Sequence, residues 1–191
     1  MTTIDDAPPA RFDSRAVPER IETGRLVLRP LEIGDAPWIG RESGRPEVAN
    51  TLALVPSPNP ALFAEMFILT VRARALCSGD VVRAVCTRGG EEPLGLIGAH
   101  ARGEGVFGFG YWFAPAAWGH GHATEAGRAM VETLRAAGAR RMRAGYFAHN
   151  PASRRVLEKL GFVQDGDETP QFCTAAMTRL PHASMTLEIR P

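Results

Sequence analysis

A glycine-punctuated turn at residues 118–126 constrains the fold of this chain more than any other segment. The turn reads Trp-Gly-His-Gly-His-Ala-Thr-Glu-Ala and lies between an apolar aromatic run, residues 106–113, and a run with helical periodicity. Glycines at alternate positions let the backbone curl so that successive N–H groups point at one anion. The free N–H groups and the dipole of the following helix favour the same anion. The segment therefore predicts a strand, a tight turn and a helix that together hold a phosphate group.

Two well-known phosphate motifs do not fit this turn. A Rossmann fingerprint needs a third small residue where Thr124 stands, and an acidic residue about 20 positions further on. That region, residues 140–145, reads Arg-Arg-Met-Arg-Ala-Gly and carries no carboxylate. A Walker P-loop ends in Gly-Lys-Ser or Gly-Lys-Thr, whereas Gly121 is followed by His-Ala. The sequence therefore does not favour a dinucleotide or a nucleoside triphosphate as the ligand.

The composition is that of one globular domain. The chain has 191 residues, of which 45% are hydrophobic and 23% are charged. Residues 1–20 are rich in Pro, Asp, Arg and Ala without periodicity, so we expect a flexible tail before a single domain at residues 21–191. A net charge of +1 argues against nucleic acid binding. Because neither a membrane span nor the apolar core of a signal peptide is present, we expect a cytoplasmic protein.

The cysteines and the paired histidines do not indicate a metal site. Cys77, Cys86 and Cys173 lack the spacing of a metal site or a redox motif, and we expect them to be small buried residues. His120 and His122 stand two positions apart, but no third cluster of ligands accompanies them. We therefore predict that no metal is bound.

Upstream of the turn the pattern is that of helices followed by a meander of strands. A strand is predicted at residues 25–31, a helix at 35–43 and an extended Pro-rich loop at 56–60. A longer helix with an apolar stripe is predicted at residues 61–76. Three strands follow it, separated by glycine-containing turns, at residues 81–87, 94–101 and 106–113.

Downstream of the turn the predicted order alternates between helix and strand. Apolar and small residues recur at helical spacing from Ala123, and Gly138 is a natural end for that helix. A strand is predicted at residues 141–148, after which Asn150 caps a helix with Pro151 at its first position. The last strands are predicted at residues 162–164 and 184–189. The sequence thus predicts a mixed α/β domain.

Several segments together resemble one known family. The Trp-Gly-His-Gly-His-Ala segment at 118–123 resembles the Q/R-x-x-G-x-G/A motif with which the GNAT superfamily of N-acetyltransferases binds the pyrophosphate of acetyl-CoA. Gly-Tyr-Trp-Phe at 110–113 is similar to the family's splayed fourth strand. Asn-Pro-Ala-Ser at 150–153 and Glu-Lys-Leu-Gly-Phe at 158–162 resemble its fourth helix and the closing Gly-Phe. Residues 23–30 resemble the opening strand of the ribosomal-protein N-terminal acetyltransferase (Rim-type) branch.

The resemblance implies a fold, a co-substrate and a set of site residues. The fold is an α/β (α+β mixed) one, with a GNAT-like central mixed, mostly antiparallel sheet of six to seven strands and about four flanking helices. The co-substrate is acetyl-CoA, and Ser153 lies near its sulfur as the catalytic hydroxyl. A homodimer is an assembly that this branch often forms. The residues implied to contact acetyl-CoA are Trp112, Phe113, Trp118, Gly119, His120, Gly121, His122, Ala123, Thr124, Asn150 and Ser153.

Three departures from the family pattern bear on the chemistry. Trp118 stands where Gln or Arg is usual, and Leu157 stands where many relatives carry a proton-donating Tyr. Gly108-Phe109 replaces the Glu that often acts as the general base. At pH 7, neutralising a lysine costs roughly 4.6 kcal/mol, whereas an α-amine of pKa about 7.8 costs roughly 1.1 kcal/mol. A site without an obvious base therefore favours a peptide or protein N-terminal α-amine as acceptor.

The sequence leaves other readings of the site open. A small-molecule amine acetyltransferase and a non-catalytic acyl-CoA sensor are the alternatives. Glu104, His149 and Glu168 are candidate bases, although each is more simply explained as a surface residue. The acceptor cleft is expected between two loop-like segments, residues 42–60 and 165–172. The arginines at 140, 141 and 143 form either a solvated strand edge or a contact with the 3′-phosphate of CoA.

Overall fold

The computed structural model describes residues 12–90, 92–103 and 105–189. This part of the chain forms a nine-stranded sheet with five α-helices, which confirms the predicted mixed α/β class with more strands than expected. The helices are α1 (Ala36–Ser43), α2 (Pro46–Ala49), α3 (Ala61–Ser78), α4 (His122–Ala136) and α5 (Pro151–Lys159). The strands are β1 (Ile21–Glu22), β2 (Leu26–Arg29), β3 (Val81–Thr87), β4 (Pro93–Ala101), β5 (Val106–Phe113), β6 (Arg141–Phe147), β7 (Val163–Gln164), β8 (Thr169–Cys173) and β9 (Thr178–Glu188).

One pair of strands separates within the sheet. The strand order is β1-β2-β3-β4-β5-β6-β9-β7, and β8 also pairs with β9. Every pairing is antiparallel except that of β5 with β6. This parallel ladder joins only residues 106–108 to residues 141–143. Beyond it the two strands diverge, and their C-terminal ends leave a gap in the middle of the sheet.

The two faces of the sheet are covered by different helices. A first cluster contains Met130 of α4 and Leu157 of α5 with Phe109 of β5, and we call this side the α4/α5 face. A second cluster contains Trp38 of α1 and Ile68 of α3, and we call that side the α1/α3 face. Successive side chains of a strand point to opposite faces. Each of the separating strands therefore contributes residues to both faces at the gap.

Helix α4 follows the predicted amphipathic pattern. Its inner side buries Ala126, Met130 and Leu134 completely. Gly127 lies against the Leu160 side chain, so that a Cβ at this position would be only 2.6 Å from a Leu160 methyl carbon. The turn after the helix contains Gly138 with a φ of 92°, as the sequence predicts. This packing fixes the N-terminus of α4 relative to the sheet.

Helix α3 lacks the single apolar stripe that the sequence predicts. It buries Ala64, Ile68 and Val71 against the sheet. On its other sides, four apolar residues are more than half exposed: Leu62, Phe63, Met66 and Leu69. The helix is therefore apolar around most of its circumference, and its sequence pattern does not distinguish the buried side from the exposed one.

The prediction for residues 165–172 is wrong. The segment contains most of β8, and β9 begins at Thr178, several residues before the predicted strand. Pro170 pairs with Pro181 in the register of these two strands. Proline cannot donate a ladder hydrogen bond and is therefore rare within strands. The sequence pattern around these two prolines consequently predicts a loop where the structure has a hairpin.

Part of the predicted flexible tail makes tertiary contacts. The ring of Phe12 packs edge-on against that of Phe107, with 4.7 Å between their centroids. The backbone N–H of Asp13 donates to the carbonyl of Ala137 at 2.9 Å, and a 3₁₀ turn follows at Ser14–Ala16. Residues 1–11 lie outside the described residues, so the tail stays a prediction there. None of the described helices is long and apolar enough to cross a membrane.

Candidate active site

A cleft of about 520 Å³ lies at the gap between β5 and β6. One wall consists of the turn after β5, the start of α4 and one side of α5. The opposite wall contains residue 48 of α2, residues 51–53 after it, the end of β6 and His182 of β9. Because the gap penetrates the sheet, groups on the two faces can approach the same point.

The glycine turn presents unpaired N–H groups to this cleft. Gly119 and Gly121 have φ values of 79° and 78°, a left-handed conformation that side chains other than glycine rarely adopt. Gly121 is the N-cap of α4, and no side chain caps the helix. Within the described residues, no group accepts a hydrogen bond from the backbone N–H groups of residues 119–124. The turn thus offers an anion a set of free donors and a helix N-terminus.

An ion pair from the turn between β1 and β2 braces the glycine turn. Arg25 donates from Nη1 to the carbonyl of His120 at 3.1 Å and from Nε to Glu125 of α4 at 2.7 Å. Thr23 donates to the same carboxylate. Burial favours the neutral acid, but the hydrogen bonds from Thr23 and Arg25 hold the pKa of Glu125 below its ordinary value. The sequence groups Thr23 and Arg25 with a strand motif and gives no sign of this bracing role.

Trp118, His120 and His122 take different positions relative to the cleft. The Trp118 indole N–H donates to the carbonyl of Phe113 at 2.8 Å, which ties the turn to the end of β5. The His122 ring lines the cleft, and burial together with the neighbouring Arg25 lowers its pKa. His120 stacks on His122 at 5.5 Å but lies outside the cleft lining. The cleft is lined by every other residue that the resemblance implies: Trp112, Phe113, Trp118, Gly119, Gly121, His122, Ala123, Thr124, Asn150 and Ser153.

Two hydroxyl groups meet on the α4/α5 face of the gap. The Tyr111 Oη lies 3.0 Å from the Ser153 Oγ. Asn150 caps α5 as predicted, because its Oδ1 accepts from the backbone N–H of Ser153 at 3.1 Å. Burial raises the pKa of Tyr111 to about 12, so the phenol keeps its proton at neutral pH. When this phenol donates to Ser153, the serine proton is free to point into the cleft.

The family pattern predicts a proton-donating tyrosine on α5, so Tyr111 of β5 is absent from the predicted site residues. Leu157, the residue at that helical position, is 1% exposed and belongs to the core. The strand supplies the phenol instead. The alternation of β5 was the available signal, since Phe109, Tyr111 and Phe113 must share one face.

The basic residues that line the cleft are also different from those predicted. Arg155 and Lys159, one turn apart on the exposed side of α5, contribute to the lining. Arg141 forms an ion pair with Glu188 at 2.6 Å. The arginines at 140, 141 and 143 all lie outside the cleft lining. The i, i+4 spacing of Arg155 and Lys159 in the predicted helix after Asn150 indicates that the two side chains lie on the same side of that helix.

The opposite wall is largely apolar. Trp112 stacks on Trp38 with 5.5 Å between ring centroids, and Phe147 and His182 lie at the end of the gap. No carboxylate of the described residues lines the cleft. Glu42, within the first predicted acceptor loop, is buried and paired with Arg41 and Arg45 instead. The second predicted loop, residues 165–172, contributes nothing to the lining, which corrects that expectation.

The two candidate bases that fall within the described residues, His149 and Glu168, do not line the cleft. His149 lies outside the lining, and its Nε2 is 3.0 Å from the carbonyl of Asn50. Glu168 is exposed and also outside the lining, while Glu104 lies outside the described residues. No group of three or more His, Cys, Asp or Glu side chains in the described part of the chain is arranged to hold a metal ion.

Solved structures with this fold include acetyltransferases with bound coenzyme A. RimL, a ribosomal L7/L12 alpha-N-protein acetyltransferase in complex with coenzyme A, is 16% identical, with 90% of this chain and 98% of that chain covered and a TM-score of 0.76. RimJ of Mycobacterium smegmatis, in complex with a CoA-disulfide, is 19% identical over 91% and 88%, with a TM-score of 0.76. The microcin C7 self-immunity acetyltransferase MccE, in complex with acetyl-CoA and AMP, is 14% identical over 93% and 100%, with a TM-score of 0.77.

The family itself follows from the sequence. At the identities above, the structural likeness shows a shared fold. Comparison with curated proteins found no match. The model of the acetyltransferase (GNAT) domain, however, matches residues 25–163, which is most of the chain and includes the turn, the gap and α5. The chain therefore belongs to the GNAT acetyltransferase family and is an acetyl-CoA-dependent N-acetyltransferase.

Proposed function

We propose that this chain acetylates the N-terminal α-amine of a peptide or protein, as enzymes of the ribosomal-protein branch do. One observation carries the proposal. A hydroxyl pair lies on one side of the gap, and a largely apolar wall without a carboxylate lies on the other. Such a wall suits an acceptor that reaches the thioester with little positive charge.

Acetyl-CoA fits the first wall of the cleft. The free N–H groups of residues 119–124 receive the pyrophosphate, with Gly121 giving the backbone its left-handed conformation. Beyond Gly108 the edge of β5 that faces β6 has no partner strand, so the backbone groups on that edge are available to the pantetheine amides. Arg155 and Lys159 supply cations for the remaining phosphate.

Ser153 acts as the proton donor to the leaving thiolate. A thiol of pKa about 8.5 leaves with partial negative charge, so a hydroxyl donor is sufficient. The Tyr111 Oη lies 3.0 Å from the Ser153 Oγ and 3.2 Å from the Ser153 carbonyl oxygen, and donation from the phenol to the Oγ would direct the serine proton toward the sulfur. A backbone N–H of the separated β5 stabilises the negative charge that develops on the carbonyl oxygen.

The acceptor wall favours an α-amine over the alternatives. No carboxylate lines the described cleft, whereas Arg155 and Lys159 do, so polyamines and other polycations meet no complementary charge. A lysine needs roughly 4.6 kcal/mol to lose its proton at pH 7, about four times the requirement of an α-amine. RimL, an alpha-N-protein acetyltransferase with the same fold, supports this acceptor class.

The test is thiol release from acetyl-CoA with amines that differ in one feature. The panel contains a peptide with a free α-amine and no lysine, its N-acetylated counterpart with one lysine, and spermidine. We expect release with the first peptide only. Turnover confined to the lysine peptide or spermidine would contradict the proposed acceptor. Acetyl-CoA binding by calorimetry without turnover on any amine would favour a sensor, the alternative from a different functional class.

A further inference from the structure

His182 occupies a position in the gap that the reaction described above does not use. It belongs to β9 and pairs in register with Phe147 of β6. Its ring meets the Phe147 ring edge-on, with 5.4 Å between centroids. Ala183 and Met185 belong to the cluster on the α4/α5 face, so His182 points to the α1/α3 face. The imidazole therefore lines the acceptor side of the cleft, opposite the Tyr111–Ser153 pair.

Gly145 makes room for this imidazole. A Cβ at position 145 would overlap the Cε1 and Nε2 atoms of the His182 ring. The ring therefore lies directly over the backbone of β6, in the part of the strand that has separated from β5. An acceptor nitrogen that approaches the gap from the α1/α3 face passes this ring.

The imidazole is free to accept a proton. No described residue forms a hydrogen bond with either ring nitrogen of His182. Burial lowers its pKa, and no charged group contributes to that change. Its packing neighbours Gly145, Phe147 and Thr169 are not ionisable. Arg143, which shares the strand face of Gly145, and the ionisable side chains His149 and Glu168 of the adjoining segments all lie outside the cleft lining.

We propose that His182 is the general base, accepting the proton that the acceptor nitrogen releases as the new C–N bond forms. The proposal rests on acetyl transfer in this cleft and deepens the proposed function. The neutral amine attacks the thioester carbonyl carbon, the C–N bond forms and the C–S bond breaks. The nitrogen proton passes to His182 and then to solvent. The thiolate takes the Ser153 hydroxyl proton, which solvent restores.

The arrangement separates the two proton transfers. The donor, Ser153, lies on the α4/α5 face with its partner Tyr111, while His182 lies on the α1/α3 face. Base and acid thus act on opposite sides of the carbonyl, and the protonated imidazole does not compete with the serine for the thiolate. Deprotonation of the nitrogen becomes easier as it bonds to carbon, so a base that is neutral at pH 7 is adequate.

The experiment compares His182→Gln with His149→Gln. The second histidine is a matched control, since it stacks on the same Phe147 ring at 5.6 Å but lies outside the cleft lining. The acceptor is whichever amine of the panel turns over fastest. For wild-type enzyme, log kcat/KM for the amine should rise with a slope of two at pH values below the pKa of both the amine and the His182 imidazole, because both groups must be neutral. His182→Gln should lose about 100-fold in kcat and show a slope of one, whereas His149→Gln should resemble wild type.

A second variant keeps the test independent of folding. In His182→Ala the space over Gly145 should admit free imidazole, which should restore activity in proportion to its concentration, while acetyl-CoA binding by calorimetry stays unchanged. An unchanged rate in His182→Gln would overturn the proposal. A reduced rate that keeps a slope of two and is not rescued by imidazole would overturn it as well. Failure of the α-amine peptide alone refutes the proposed acceptor and leaves the His182 comparison to be made with the active amine.

Discussion

The two walls of the cleft are built in different ways. The acetyl-CoA wall comes from two short segments in which neighbouring residues act together, residues 109–124 without the Trp112 side chain and residues 150–159. The acceptor wall brings together residues 48–53, 145–147 and 182, which are far apart in the chain. A backbone turn that binds an anion can be written in a local motif. A wall that is assembled from distant segments of the sheet has no such local motif. This difference explains why the sequence predicts the acetyl-CoA wall and not the acceptor wall.

The walls also differ in charge. The acetyl-CoA wall combines free backbone donors with Arg155 and Lys159, as an anionic ligand requires. The acceptor wall offers aromatic and aliphatic side chains and one imidazole. Variants that alter the phosphate-binding part of the acetyl-CoA wall should therefore weaken acetyl-CoA binding. Variants of the acceptor wall should instead lower the rate of turnover with the amine.

The largest effect is expected where the walls meet, at Ser153. Ser153→Ala should lower kcat by about 100-fold or more, because the thiolate loses its proton donor. Binding of acetyl-CoA by calorimetry should change little. Ser153→Thr, which keeps a hydroxyl, is the control and should retain most of the activity. If the alanine variant kept wild-type kcat, the hydroxyl would have only a structural role at the start of α5.

A variant of the acceptor wall should come next. Gly145→Ala places a methyl group where the His182 ring lies, and overpacking of this kind costs roughly 1–3 kcal/mol. We expect kcat/KM for the amine to fall by roughly tenfold to a hundredfold, with the Kd for acetyl-CoA unchanged. Initial rates at saturating acetyl-CoA measure the first quantity and calorimetry the second. A selective loss of acetyl-CoA affinity would show that the two walls are not separable.

The converse variant lies in the glycine turn. Gly121→Ala forces a Cβ into a left-handed conformation at a φ of 78°, which costs roughly 1–2 kcal/mol. The turn should relax away from the phosphate, and the Kd for acetyl-CoA should rise by about tenfold while kcat at saturation changes little. Gly24→Ala is the matched control, since that glycine has open space and no positive φ. Equal effects in both variants would count against a specific role for the turn.

The smallest effect on activity is expected at Asp80, distant from both walls. Its carboxylate is fully buried and accepts from Arg74 at 2.7 Å, from His100 at 2.8 Å and from the N–H of Ala101 at 2.9 Å. Burial alone would favour the neutral acid, but these donors lower the pKa from 3.8 to about 2. The group therefore stabilises the folded state fully above pH 4, by roughly 2 kcal/mol.

Asp80→Asn should remove that stability without changing kcat. Urea unfolding should show the full difference from wild type at pH 7, and the difference should shrink as the pH falls from about 4 toward 2, where wild type also loses the charge. A difference that persists at pH 2 would mean that packing, and not charge, accounts for it. A change in kcat would show that the cleft responds to stability elsewhere, which would weaken the interpretation of the variants above.

Most of the regular structure was predictable from local pattern. The bounds of β3 and β5, the start and end of α4, and the Asn150 cap with Pro151 at the first position of α5 agree with the sequence to within a residue or two. Alternation, glycine at left-handed positions and N-cap chemistry are local effects, so a short segment suffices to reveal them. The β8–β9 hairpin was missed because its facing prolines, Pro170 and Pro181, imitate a loop.

Only the acetyl-CoA wall of the candidate site was predictable from the sequence. The turn at 118–124 and Ser153 were identified from motifs, and all of these residues except His120 line the cleft. Tyr111 and His182 were missed. Tyr111 belongs to the strand motif at 110–113, which gives its side chain no role, and His182 belongs to no motif. Each matters through a partner that lies more than thirty residues away in the chain, Ser153 and Gly145 respectively.

The sequence by itself determined the family, the phosphate-binding turn and the helix that follows it, since these depend on backbone conformations that particular residues favour within a few positions. Only the tertiary structure decided which side chains face each other across the gap. The short parallel ladder between residues 106–108 and 141–143 lets β5 and β6 separate, and the pairing of β6 with β9 then brings His182 over Gly145. Strand pairing joins residues that are distant in the chain, and a local pattern does not encode that pairing.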